Sequence, residues 1–172
     1  HPLVYEINTR FDVPHSRHND ISREQFEAAG LRVLAESEEG GVHLAVSPDL
    51  ARVVYFQGHP EYDRNSLLKE YQREVRRFLA GEIGERPPLP ENYFSEEAAA
   101  LIERAWRRPE TVETVLRNDI EPSLDNTWGD TAKAVFNNWL GMVYQLTNLD
   151  RHKQYMPGVD RDDPLGLNAQ GA

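Results

Sequence analysis

A histidine and a glutamate two residues apart form the most reactive pairing in this sequence. The apolar run 53–56 leads through Gly58 into His59, Pro60 and Glu61. A histidine can take a proton from a nucleophile with one ring nitrogen while a carboxylate holds the other nitrogen in place. In α/β sheets such side chains collect at the carboxyl ends of strands, which is where this pair falls. The spacing is compatible with general-base catalysis by His59, with Glu61 orienting its ring, and equally with a turn histidine beside a helix-flanking charge.

Cysteine is absent from the 172 residues. This excludes a disulfide scaffold, a thiolate zinc site and a cysteine nucleophile within these residues. The six histidines are scattered without acidic partners at zinc-ligand spacing, so we predict no metal site. The sequence also lacks the nucleophile elbow of serine hydrolases, the phosphate-binding loop and the dinucleotide fingerprint.

The charge balance and hydropathy narrow the class of protein further. The 19 Lys and Arg against 29 Asp and Glu give a net charge of −10, which argues against a protein that tracks nucleic-acid phosphates. No apolar run approaches the roughly 20 residues of a membrane-spanning helix, and no secretory leader opens the chain. We therefore expect a soluble, cytoplasmic protein with neither nucleic-acid nor membrane partners. The start at His1 rather than Met, together with the missing cysteine, predicts a piece of a longer protein.

The first half of the chain, which would position His59 and Glu61, is predicted to contain both helix and strand. Ser22 and Gln25 form a capping box that predicts a helix over 23–29. Strands are predicted near 31–35, 42–46 and 52–56, the last two being joined through a turn at Ser47, Pro48 and Asp49.

The second half of the chain is predicted to be helical. Apolar residues at helical spacing predict a long helix from Leu67 to Leu79, capped by Asp63 or Ser66. Three further helices are expected over 96–106, 110–120 and 131–146. We predict an α/β protein whose domain covers residues 1–156, followed by a flexible tail over 157–172.

The His-Pro-Glu turn resembles that of class I glutamine amidotransferase-like folds, whose triads are Cys, His and Glu. Within that group, an ordered set of motifs across nearly the whole chain is similar to the homoserine O-acyltransferases, the homoserine O-succinyltransferase family. The resemblance implies the C-terminal portion of a flavodoxin-like sheet with flanking helices. The motifs that carry it are Pro14-His15-Ser16-Arg17, Leu34-Ala35-Glu36-Ser37-Glu38-Glu39-Gly40, Gly58-His59-Pro60-Glu61-Tyr62-Asp63, Glu91-Asn92-Tyr93-Phe94 and Asn137-Asn138-Trp139-Leu140.

The resemblance also implies roles for four residues. His59 would be the general base and Glu61 its orienting carboxylate, while Ser16 and Arg73 would contact substrate. From the residues alone, Ser16 is equally a turn or cap hydroxyl, and Arg73 reads more readily as a solvated helix charge. The nucleophilic cysteine and a substrate-holding lysine would belong to the preceding half of the protein, which these residues do not include.

The implied activity is transfer of a succinyl or acetyl group from acyl-CoA to the hydroxyl of L-homoserine through a cysteine acyl-enzyme, in methionine biosynthesis. Acyl-CoA would be a co-substrate, no further cofactor is expected, and the partners would be the missing N-terminal half and a second copy in a homodimer. This chain alone should be inactive. Two rivals stay open: an amidotransferase-like hydrolase, and a non-catalytic module without the nucleophile half. The stretch between Phe94 and Asn126 and the tail after Met156 depart from the family pattern.

Overall fold

A computed structural model describes residues 1–168, and the chain divides into two compact units. The first unit comprises His1–Glu61 and the chain from Thr127 onward, and the second comprises Tyr62–Asn126. His59, Glu61 and Ser16 belong to the first unit, whereas Arg73 belongs to the second.

A three-stranded antiparallel sheet organises the first unit. Its strands are β1 (Arg32–Ser37), β2 (Gly41–Val46) and β3 (Val54–Phe56), in the order β1-β2-β3. In the register of β2 and β3, Leu44 lies opposite Phe56 and the neighbouring pairs follow in antiparallel order. The predicted strand pair joined by the turn at Ser47 is confirmed, and so is the mixed helix-and-strand class. The flavodoxin-like assignment stays a prediction, since the described strands are all antiparallel.

Strand β3 forms one edge of this sheet. Among the described residues it pairs with β2 on one side only. The residues Val53, Tyr55 and Phe56 are exposed although they are large and apolar. The strand that leads to His59 therefore presents an uncovered apolar edge.

Two helices complete the first unit. Helix α1 (Arg23–Ala28) begins at Ser22 with the predicted capping box, in which the hydroxyl and the Gln25 side chain each accept from the other residue's backbone N–H. Helix α5 (Gly129–Leu146) is bound to the N-terminal segment, because the side-chain amide of Asn138 donates to the backbone carbonyls of Leu3 and Tyr5. The buried cores of this unit consist of Leu3, Val46, Leu50 and Met142 in one cluster and Phe26, Val42 and Ala45 in another.

The second unit consists of helices around a separate core. Helices α2 (Ser66–Leu79) and α3 (Glu96–Ala105) fall where the apolar spacing predicts them. The predicted cap of α2 is wrong: Asn65 occupies the cap position, and its side chain makes no capping hydrogen bond. The core residues are Leu68, Tyr71, Val75, Ala98, Ile102, Ala105, Val112, Leu116, Ile120 and Leu124.

The helix predicted over 110–120 is present, but it is not a regular α-helix. A 3₁₀ turn at Pro109–Thr111 is followed by the short helix α4 (Val112–Val115), a π-helical turn at Leu116–Ile120 and another 3₁₀ turn at Glu121–Ser123. The buried residues recur every fourth position, at Val112, Leu116 and Ile120. An ideal α-helix would rotate each of them by about 40° relative to the last, and the wider π-helical turn offsets this drift.

The C-terminal segment lies partly against the first unit. Of the tail predicted over 157–172, residues 169–172 lie outside the described part of the chain. Pro164 is buried, and Leu165 and Leu167 pack against the cluster around Leu3. The flexibility of this segment stays a prediction, and the packing of these residues argues against it as far as Leu167. None of the helices in residues 1–168 combines the length and apolarity needed to cross a bilayer.

Candidate functional site

The turn that follows β3 brings His59 and Glu61 into direct contact. The Nδ1 atom of His59 lies 2.8 Å from Oε1 of Glu61. The backbone N–H of His59 donates to the carbonyl of Pro14 at 2.7 Å, and its Nε2 lies 3.3 Å from the carbonyl oxygen of Ser16. The structure therefore assembles His59, Glu61 and the loop that carries Ser16 in one place.

The partners of His59 determine which nitrogen can act as a base. A carboxylate only accepts hydrogen bonds, so Nδ1 carries the proton that is donated to Glu61. In the neutral ring Nε2 is then the basic atom. Once Nε2 takes a proton, it can donate to the Ser16 carbonyl, so the protonated ring has acceptors in reach on both sides. The carboxylate at Nδ1 is the feature that a histidine general base requires, and a proton donor would have to approach Nε2 beside the Ser16 carbonyl.

The pair is accessible from solvent. The side chain of His59 is 33 % exposed and that of Glu61 is more exposed still. Solvent therefore reaches part of the His59 ring. The catalytic roles of the two residues stay predictions, because geometry of this kind also fits a surface ion pair.

Arg17 anchors the loop beside His59. Its guanidinium donates to Nδ1 of His15 and, at 2.6 Å, to the carbonyl of Gly40, and it forms an ion pair with Asp20 at 2.9 Å. The ion pair and both hydrogen bonds fix a loop that has no regular secondary structure. Ser16 is placed next to His59 by this anchor.

Two further histidines lie behind the turn. His43 is 6 % exposed in the middle of β2, and its ring centroid lies 5.8 Å from that of His15. Burial lowers the pKa of His43 to about 4, and the neighbouring His15 adds to this shift. Burial also lowers the pKa of His15, with smaller contributions in the same direction from Arg17 and His59. Burial therefore favours the uncharged form of both rings.

Gly58 is the point where these rings approach the backbone. A β-carbon at this position would lie 2.8 Å from Nε2 of His15 and 2.8 Å from Nδ1 of His43. Both distances are well inside the normal separation of non-bonded atoms. Glycine is needed here because of this close approach.

The side chain of Gln57 ties β3 to its surroundings. Its amide nitrogen donates to the carbonyls of Ile21 and Val42, each at 2.9 Å, and its oxygen accepts from the backbone N–H of Ile21 at the same distance. Gln57, which immediately precedes Gly58 and His59, is thus held both by the segment before α1 and by β2.

Arg73 lies in α2 of the second unit. Its side chain is exposed and forms an ion pair with Glu74 at 3.0 Å, and Arg77 contacts the same carboxylate. An exposed pair of this kind is what the solvated-charge interpretation predicts. The substrate role of Arg73 stays a prediction.

Sequence reasoning missed the contributions of His15, His43, Arg17 and Gln57 to this site. A single histidine within the apolar run 42–46 was the signal that could have drawn attention to His43. No cluster of three or more His, Asp or Glu side chains suited to a metal ion occurs within residues 1–168.

Two cavities in the described part of the first unit differ in their relation to the site. A cavity of about 460 Å³ contains none of the predicted site residues and is lined by Arg23, Glu27, Gly30, Leu31, Arg32, Val33, Pro48, Leu50 and Asn168. A much smaller one, of about 10 Å³, includes both His43 and Pro60 in its wall. Neither is a preformed substrate pocket at His59.

Known proteins match this chain over most of its length. The family model described as "Homoserine O-succinyltransferase" matches residues 1–149. Among curated relatives, a homoserine O-succinyltransferase from Methylococcus capsulatus is 61 % identical over 179 residues, which cover 97 % of this chain and 49 % of that protein. The corresponding proteins of Nitrosococcus oceani and Thiobacillus denitrificans are 56 % and 58 % identical, each across 97 % of this chain and 49 % and 48 % of their own lengths. The chain thus spans about half the length of these relatives.

Proposed function

Because the chain belongs to the homoserine O-succinyltransferase family, we propose that the complete protein containing it transfers an acyl group from acyl-CoA to the hydroxyl of L-homoserine. The observation that carries the proposal is the His59 to Glu61 contact of 2.8 Å at the end of β3. We propose succinyl-CoA as the donor, with acetyl-CoA as the alternative, because the matched relatives are named for succinyl transfer. The product would serve methionine biosynthesis.

The proposed reaction has two stages that share one base. Nε2 of His59 takes the proton of a cysteine thiol that lies outside this chain, and the thiolate attacks the thioester carbonyl of acyl-CoA. The CoA thiolate leaves with the proton from His59. In the second stage Nε2 takes the proton of the homoserine hydroxyl, whose oxygen attacks the acyl-cysteine, and the cysteine leaves with that proton. Glu61 keeps Nδ1 protonated throughout, so that Nε2 remains the basic atom.

Ser16 and Arg73 would bind substrate. A guanidinium is suited to bidentate capture of a carboxylate, which both homoserine and a succinyl group carry. In this proposal Arg73 exchanges its exposed contact with Glu74 for a substrate carboxylate. The family resemblance supports these roles.

We also propose the wider setting of the enzyme. The glutamine amidotransferase-like fold would be completed by the half of the protein that carries the cysteine, and two copies would form a cytoplasmic homodimer. The uncovered apolar edge of β3 supports the expectation that further chain packs near the turn.

The test uses the full-length protein that contains this chain. Purified protein is incubated with L-homoserine and either succinyl-CoA or acetyl-CoA, and the ester product and free CoA are measured by mass spectrometry and thiol release. We expect O-succinylhomoserine, and a His59→Ala control that produces none. Glutamine hydrolysis without homoserine acylation would instead establish the amidotransferase-like alternative, and no turnover of either substrate would favour the non-catalytic module.

A further inference from the structure

We propose that His15 and His43 are positioning residues whose rings close on the backbone at Gly58 and thereby fix the direction in which His59 leaves the sheet. The geometry stands by itself, and only the kinetic readout rests on the proposed function. Neither ring would touch substrate, since both act through the turn.

The space beside Gly58 is already occupied. One ring nitrogen of His15 and one of His43 each lie 2.8 Å from the point that a β-carbon would occupy. Non-bonded heavy atoms pack best at about 3.5 to 4.0 Å, so no side chain fits between the rings and this backbone. The rings of His15 and His43 therefore close the position of a side chain at the residue that precedes His59.

The rings of His15 and His43 are both held in place by their neighbours. His43 is buried in β2 and contacts Phe11 and Phe56, at ring-centroid distances of 6.0 Å and 5.6 Å. His15 is held through Nδ1 by Arg17, which is itself bound to the carbonyl of Gly40. Displacing either ring would disturb packed aromatic contacts or a charged hydrogen-bond network.

The segment that contains His15 is in direct contact with His59. The segment that carries His15 also supplies the Pro14 carbonyl, which accepts from the His59 backbone at 2.7 Å. The next residue supplies the Ser16 carbonyl, 3.3 Å from Nε2. A shift of His15 would therefore be transmitted to both the backbone and the ring of His59.

The His43 ring fills space beside Gly58, but one of its polar atoms has no partner among the described residues. Within residues 1–168, its Nδ1 atom is buried and has no hydrogen-bond partner. An unpaired buried nitrogen costs stability and adds nothing to positioning. The ring volume is thus the useful feature, and phenylalanine should replace it.

The kinetic test compares shape-keeping and shape-changing variants of the full-length protein with homoserine and succinyl-CoA. We expect His43→Phe to keep kcat within about twofold, whereas His43→Ala and Gly58→Ala lose at least about tenfold in kcat, with both KM values changed less than about threefold. The double variant Gly58→Ala with His15→Ala should lose less than the product of the two single losses, because removal of the His15 ring relieves one of the two close contacts of the new methyl group. His152→Ala, at an exposed histidine, is the matched control and should match the parent.

A spectroscopic arm decides the proposal independently of activity. In full-length protein labelled with ¹⁵N-histidine, the nitrogen shifts of His59 should show a protonated Nδ1 in the parent and in His43→Phe. A changed tautomer mixture is expected in Gly58→Ala and His43→Ala, and His43→Leu replaces the latter if it fails to fold. Equal kcat in His43→Phe and His43→Ala, or unchanged His59 shifts in Gly58→Ala, would overturn the proposal. If the parent protein transfers no acyl group, the proposed function fails, and the nitrogen shifts alone confirm or overturn the positioning.

Discussion

The ring of His59 has an acceptor beside each nitrogen, which sets it apart from the enclosed ring of His43. Nδ1 meets the Glu61 carboxylate at 2.8 Å, and Nε2 lies near the Ser16 carbonyl. The carboxylate keeps Nδ1 protonated, so Nε2 is the nitrogen that would accept a proton from a reacting group. This contrast motivates different predictions for the two histidines.

Removing the base or its orienting group should reduce turnover in the full-length enzyme. A general base contributes about 10² to 10⁴ in rate, so we expect His59→Ala and Glu61→Gln each to lose at least about 10²-fold in kcat. Steady-state kinetics with homoserine and succinyl-CoA measures this, and circular dichroism checks folding. A folded Glu61→Gln enzyme with the parental kcat would reduce Glu61 to a flanking charge.

Arg73→Ala should act on binding rather than on chemistry. If the guanidinium holds a carboxylate that is already present in the ground state, KM rises more than kcat falls. Arg76→Ala is the matched control on the same helix, since Arg76 is also exposed and forms an ion pair, with Glu113 at 3.0 Å. Equal KM values for the two variants would assign Arg73 to the solvated face of α2.

His43 should make the protein sensitive to acid. The pKa of its ring falls from 6.5 to about 4 on folding, so the unfolded chain binds more protons between these values and stability decreases as the pH falls through that window. The expected loss from His43 is about 2 kcal/mol between pH 7 and pH 5. Urea unfolding of the full-length protein at both pH values should show a smaller loss in His43→Phe. An identical pH dependence in parent and variant would contradict the burial argument.

The short strand β3 depends on Gln57 to keep its end in place. Three hydrogen bonds leave this one side chain, and each contributes about 0.5 to 1.5 kcal/mol. We therefore expect Gln57→Leu to lower the free energy of unfolding by about 2 to 3 kcal/mol. Chemical denaturation measures the loss, and Gln145→Leu, at an exposed position of α5, should change stability by less than about 0.5 kcal/mol. Equal effects of the two variants would show that the amide contacts do not stabilise the strand.

Elements whose signals are local were predictable from the sequence. The cap at Ser22 and the helix over 66–79 depend on residues within a few positions of one another, and both are present. The π-helical turn at Leu116–Ile120 was not predictable, because it places every fourth residue into a core shared with α2 and α3.

In the candidate site, too, local contacts were predictable from the sequence and long-range contacts were not. The contact of His59 with Glu61 follows from their separation of two residues in a tight turn. The convergence of His15 and His43 on Gly58 depends instead on the register of β2 with β3 and on a loop far away in sequence. No short pattern encodes that convergence.

The C-terminal segment belongs to the folded body of the first unit at least to Leu167. Leu165 and Leu167 pack against the cluster that includes Leu3 and Met142. Burying a leucine fully is worth about 1.5 to 3 kcal/mol, so Leu165→Ala with Leu167→Ala should destabilise the protein by about 2 kcal/mol. Thermal unfolding tests this against Leu149→Ala, a leucine that is 96 % exposed and should tolerate truncation. Equal midpoints would support the flexible tail that composition predicts.

The outer edge of β3 makes the isolated chain prone to self-association. Val53, Tyr55 and Phe56 stand exposed at a strand that, within residues 1–168, is paired on one side only, and such an edge is a template for intermolecular strand pairing. The net charge of −10 opposes this by mutual repulsion, which salt screens. Solutions of the purified chain should therefore keep best at low ionic strength, and precipitates formed at high salt should be rich in intermolecular β-structure.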